Sequence, residues 1–131
     1  MIGIDTNLLI RFFTNDDIEQ ARYAKKLIGN NEIFICKSVL LETEWVLRYT
    51  YEFETEVIHN AFESLLGLPN LTVEDPGCII KAMQWYAQGF DFADAMHLAT
   101  SKQLGNNFAS LDKAFLRKAT KMGMNLLTFM K

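Results

Sequence analysis

Cysteine is scarce in this sequence. Cys36 and Cys78 are the only two, too few for the disulfide framework that holds a small secreted domain together. Both stand among apolar neighbours, which suits buried free thiols and a cytoplasmic location. Long apolar runs are missing too: no stretch approaches the roughly 18 residues that a membrane span needs. There is no basic region followed by an apolar stretch and a small-residue cleavage site, so neither a membrane anchor nor a secretory leader is expected. Positive charge is also in short supply. Thirteen Lys and Arg face 16 Asp and Glu, a net charge of −3, which argues against a broadly basic nucleic-acid-binding surface while leaving room for local patches. No repeat, low-complexity segment or Ser/Gly-rich linker breaks the chain.

What is present fits one α/β domain over residues 1–131. Half of the residues are hydrophobic and 22% are charged, as in ordinary globular proteins, and the length suits one sizeable core. The chain opens on the apolar Met1, Ile2 and Ile4, which read as a buried central strand covered on both faces. Asp5-Thr6-Asn7 then stands before Leu8, Leu9 and Ile10. Asp5 is either the cap of the next helix or a carboxylate at the ligand-gathering edge of a parallel sheet.

Asp16 or Asp17 opens a second helix that stops at Gly29-Asn30-Asn31. Ile33 to Cys36 reads as a strand, and Ser38 as the N-cap of a helix through Tyr49. Glu42 and Glu44 in that helix are about 200° apart and cannot face the same way. Glu42, expected in the first turn beside Lys37 and Ser38, is the better candidate for a site; an acid near the helix's positive end is its plain alternative. Glu54 to Leu66 forms a further helix, Leu71 to Val73 a short strand, and Asp75-Pro76 opens a helix that closes at Gly89. His59 reads as a surface residue.

In Gly89-Phe90-Asp91-Phe92-Ala93-Asp94-Ala95, Asp91 is placed as an N-cap with Asp94 three residues on. Asp94 shares its stripe with Ala and Leu, where a lone carboxylate is costly. His97 lies at another azimuth, with no second His or Cys at helical spacing to make a zinc site. Asn107 to Leu111 reads as a strand ending at Asp112, which precedes a helix closed by Gly123. Leu126 to Phe129 reads as a last strand. This alternation predicts a three-layer α/β/α sandwich around a mainly parallel sheet.

In such a sheet the strand carboxyl ends share one edge, so Asp5, Glu42, Asp94 and Asp112 are expected to converge. Ionised carboxylates a few ångströms apart repel by roughly several kcal/mol even at an effective dielectric of about 20. Either some keep their protons or a multivalent cation holds them ionised. All-oxygen donors favour Mg²⁺ or Mn²⁺ over Zn²⁺, and such a cation lowers the pKa of a bound water for attack on a phosphodiester.

The strand ending in Asp5-Thr6-Asn7, the run Leu41-Glu42-Thr43-Glu44-Trp45-Val46-Leu47-Arg48, Asp91-Phe92-Ala93-Asp94-Ala95 and Ser110-Leu111-Asp112 together resemble a PIN domain. Within that family the likeness is to the VapC-type ribonuclease toxins of prokaryotic toxin–antitoxin pairs, and it covers the whole chain. The resemblance implies an acidic quartet of Asp5, Glu42, Asp94 and Asp112. It also implies Mg²⁺- or Mn²⁺-dependent cleavage of RNA that leaves a 3′-hydroxyl and a 5′-phosphate. Asp91 and Glu44 are expected as neighbours of the ligands. Thr6, Asn7 and Ser110 are expected to orient waters or acids, while Arg11, Lys37 and Lys113 contact the substrate, with Arg117, Lys118 and Lys121 adding to a basic rim. It further implies a homodimer, and a cognate antitoxin seated on apolar helix faces near Phe12, Trp45 and Tyr49. Two other readings compete. One is an aspartyl-nucleophile phosphatase, disfavoured because Asn7 stands where a second Asp is wanted. The other is a non-catalytic module of the same fold that binds RNA or protein.

Overall fold

Ile33–Ile35 forms the middle strand of a parallel sheet in the computed structural model, which describes residues 1–105, 108–124 and 126–127. Ile33 and Ile35 are fully buried, with Phe34 half-buried between them, the period-2 signature of a pleated strand. The chain forms two compact units, Met1–Pro76 and Gly77–Lys131. Each is described by itself.

The first unit runs β1 (Ile2–Gly3), α1 (Thr6–Phe13), α2 (Ile18–Asn30), β2 (Ile33–Ile35), α3 (Lys37–Tyr49), α4 (Thr55–Leu66) and β3 (Leu71–Val73). Its three strands are all parallel, in the order β1-β2-β3. This is the α/β class expected from the sequence. The central place of β1 is not: among the described residues it lies at an edge, and both of its residues are exposed. Only Ile4, just beyond it, turns into the core. Helix α1 packs on α2 and α3, and α4 packs on α3 and β3. Phe62 of α4 is fully buried and stacks on Phe13 of α1 at 5.9 Å. The amide of Asn70 donates to the carbonyls of Ile28 (2.6 Å) and Asn31 (2.7 Å), tying the end of α2 to the approach of β3.

The parallel register sends the carboxyl ends of all three strands to one edge. Asp5 follows β1, Cys36 follows β2, and Glu74-Asp75 follows β3. The start of α3 corrects an expectation. Ser38 does not cap it: the helix begins at Lys37, directly after β2, and Cys36 offers no capping hydrogen bond. The exposed Lys37 N–H donates instead to Glu74 Oε1 at 2.9 Å, and Lys37 Nζ pairs with Asp75 Oδ2 at 2.9 Å. A neighbouring strand end thus supplies the anion that a helix N-terminus attracts. The earlier start also places Glu42 beyond the first turn.

The second unit holds α5 (Pro76–Ala87, its first residue at the boundary), α6 (Phe92–Lys102) and α7 (Lys113–Lys121). Helices α5 and α7 close alike. Phe90 N–H bonds to Trp85 O and Gly89 N–H to Tyr86 O, while Met124 N–H bonds to Ala119 O and Gly123 N–H to Thr120 O. This double closure requires a left-handed residue, and Gly89 (φ +97°) and Gly123 (φ +80°) provide it. Among the described residues a parallel bridge joins Ala109 to Leu127 where two strands were expected. Asn107, Thr128 and Phe129 of those expected strands lie outside the described residues. Among the described residues no helix is long and apolar enough to cross a membrane. Both cysteines are free, Cys78 buried and Cys36 half-buried.

Candidate active-site carboxylates

Four aspartates cap helices by the same local device. Asp5, Asp17, Asp91 and Asp112 precede α1, α2, α6 and α7, and each accepts a hydrogen bond from the backbone N–H three residues on. For Asp5 the donor is Leu8, at 2.9 Å to Oδ1; for Asp112 it is Phe115, at 3.0 Å to Oδ1. Both side chains are exposed, and the second oxygen of each accepts no hydrogen bond from the described residues. Capping and ligation are therefore compatible, because a carboxylate has two oxygens and the cap occupies one.

In the first unit Glu42 stands exposed on α3, and its Oε1 accepts a hydrogen bond from the hydroxyl of Thr6, the residue after Asp5. The structure therefore brings Glu42 to the start of α1. Glu44 is the glutamate that turns inward. It is buried and pairs with Arg48 at 2.9 Å, one helical turn on. Asn7 is exposed. Arg11 bonds to Gln20 (2.8 Å) and Tyr51 (3.2 Å), with Asp16 at 3.8 Å. Arg11 and Lys37 thus already carry protein partners. His59, expected on the surface, is half-buried with Nδ1 2.9 Å from Glu63.

The second unit gathers Asp91, Asp94 and Asp112 around a cavity of about 160 Å³. Asp91 Oδ2 accepts from Asp94 N–H at 3.1 Å, and Asp112 N–H donates to Ser110 Oγ at 3.1 Å. Phe115 meets Phe90 (5.9 Å) and Phe108 (5.8 Å) edge-on, giving the cavity an apolar wall. Asp94 is half-buried, and its carboxyl lies above the ordinary 3.8. Burial is the main cause, followed by repulsion from Asp91 and then Asp112; His97 acts in the opposite sense. Asp91 caps α6, as expected of it, and also lines the cavity. Lys118 also lines the cavity, while Lys113 is exposed at the start of α7. No sequence pattern singles Lys118 out from the other bases of α7.

The donor chemistry fits a hard divalent cation. The candidate donors are carboxylate oxygens, and the Cys78 thiol is engaged with Thr100 Oγ1 (3.0 Å). Burial, and after it Asp91 and Asp112, raise the proton affinity of Asp94, and a cation beside it would favour the ionised form. Among the described residues, however, no three Asp, Glu, His or Cys side chains are grouped as a ready metal site.

No curated protein matches the chain. The PIN-domain family model matches residues 2–121, a span that contains Asp5, Glu42, Asp94 and Asp112 and runs through both units. PIN domains form a superfamily of metal-dependent nucleases. The acids, their order along the chain and this match lead to one conclusion: the chain belongs to the PIN-domain family.

Proposed function

We propose that the protein is a metal-dependent endoribonuclease, a single nuclease domain that serves as the toxin of a type II toxin–antitoxin pair. The observation that carries this reading is the PIN match across 2–121 with all four acids inside it. Asp5, Glu42, Asp94 and Asp112 would hold Mg²⁺ or Mn²⁺. When bound, such a cation activates water and stabilises charge on the phosphate. Thr6 fixes one oxygen of Glu42, and the caps at Asp5 and Asp112 fix one oxygen of each, so the acids are oriented before metal or substrate arrives. Ser110 supports the backbone of Asp112. Asn7, Arg11, Lys37 and Lys113 contact RNA, which is cut to a 3′-hydroxyl and a 5′-phosphate.

The protein acts in the cytoplasm as a homodimer. A cognate antitoxin covers the exposed Trp45 and Tyr49 of α3 together with Phe12. A non-catalytic RNA- or protein-binding module is the second reading, favoured by the lack of a three-ligand group among the described residues.

One assay separates the two. Labelled RNA is incubated with the protein in Mg²⁺, Mn²⁺ or EDTA, beside an Asp5→Asn variant. Cleavage that needs the metal and is lost in the variant is expected. Cleavage that persists in EDTA defeats the assignment, and RNA bound without being cut leaves the binding module. Expression in a bacterial host is expected to arrest growth unless the antitoxin is supplied, and harmless overexpression of active enzyme would remove the toxin role.

A further inference from the structure

Lys118 stands at the acidic cavity of the second unit, yet its ammonium is not spent on the acids. Its Nζ donates to the carbonyl of Gly89 at 2.6 Å and lies 5.4 Å from the Phe90 ring centroid. No described carboxylate is within ion-pair reach of it. Gly89 makes room for this arrangement. A Cβ there would lie 3.0 Å from Lys118 Nζ, and its φ of +97° already disfavours any other residue. The same glycine that closes α5 thus presents a carbonyl that locates a cation beside Asp91, Asp94 and Asp112.

We propose that Lys118 grips a backbone phosphate of the RNA substrate at this cavity; the assignment rests on the nuclease reading above. At about 160 Å³ the cavity is smaller than the roughly 300–1,000 Å³ of pockets that bury whole small ligands. It suits one group of a polymer that runs on across the surface. A phosphate is the group that matches an ammonium held by a neutral carbonyl and an aromatic face, because both leave its full charge to be satisfied. The phosphate also needs such a partner here, since three carboxylates line the same cavity and would otherwise repel it. Lys118 is thus the local positive charge that the net charge of −3 does not supply.

The test places Lys118→Met and Lys118→Arg in a cleavage-dead Asp5→Asn background. Binding of a fluorescent single-stranded oligoribonucleotide is followed in Mg²⁺ over a KCl series. Lys118→Met is expected to bind about tenfold or more weakly. Its log–log salt slope is expected to be shallower by about 0.7, the value of one phosphate contact on a single strand. Lys118→Arg is expected to restore most of both, and all variants should melt within a few degrees of one another. With Asp5 intact, Lys118→Met should raise KM more than it lowers kcat. An unchanged salt slope in Lys118→Met, or a change confined to the melting temperature, would overturn the assignment. A parent protein that binds RNA and never cuts it would defeat the nuclease reading alone, and the salt slope would still decide Lys118. A parent that binds no RNA would defeat both.

Discussion

Burial and two neighbouring carboxylates hold the Asp94 proton more tightly than an ordinary aspartate would. A raised carboxyl pKa means that the folded protein binds a proton that the unfolded chain releases near 3.8. The cost is absent below that pH, grows as the pH rises through the folded-state value, and is complete above it. In metal-free protein, Asp94→Asn is therefore expected to raise the melting temperature at pH 7. The gain should shrink on acidification and vanish below the ordinary carboxylate range. Thermal melts of both proteins in EDTA, from pH 3 to pH 8, check this; a variant that melts lower throughout would show that Asp94 supports the fold as an acceptor and not as a strained acid. Asp5 and Asp112 show why a cap and a functional acid need not be alternatives. Sequence presents an Asp before a helix as one or the other, whereas each side chain uses one oxygen for the cap and leaves its second without a donor among the described residues.

Helix α3 shows how an element can be stabilised from far away in sequence. Its first N–H is satisfied by Glu74, 37 residues on, where β3 ends. Glu74→Ala is expected to cost about 0.5–2 kcal/mol, the usual range for a lost cap, and Glu74→Gln, which keeps an acceptor, much less. Urea denaturation of both variants measures the difference, and equal losses would show that charge near the helix terminus matters more than the hydrogen bond. This element also marks where the sequence was legible. The caps at Asp5, Asp17, Asp91 and Asp112 are local, three residues from donor to acceptor, and the glycine closures at Gly89 and Gly123 are equally local. Ser38 satisfied the same local rule and failed, because β2 runs directly into α3 and a distant acid takes the cap. The partners of Glu42 and Lys118, 36 and 29 residues away, follow from tertiary packing and leave no periodic trace. The edge position of β1 among the described residues is hidden for the same reason: an apolar run reads alike in a central and an edge strand.

For the whole molecule, the acidic balance and the fold's metal chemistry become one question. A chain with net charge −3 that keeps ionisable acids at a half-buried position carries electrostatic strain in the metal-free state. A divalent cation that binds only the folded form stabilises it by RT ln(1 + [L]/Kd), about 2.7 kcal/mol at a hundredfold excess over Kd. For a chain of this size the midpoint should rise by roughly 5–15 °C. Mn²⁺ added to EDTA-treated protein at pH 7.5 is therefore expected to raise the melting temperature in a concentration-dependent way. Acidification should reverse the effect, because protons compete for the same oxygens. Asp94→Asn should abolish the Mn²⁺ response while melting higher than its parent without metal, so the two curves cross as Mn²⁺ is titrated in. Curves that stay parallel would mean that the cation binds elsewhere and that Asp94 is not among its ligands.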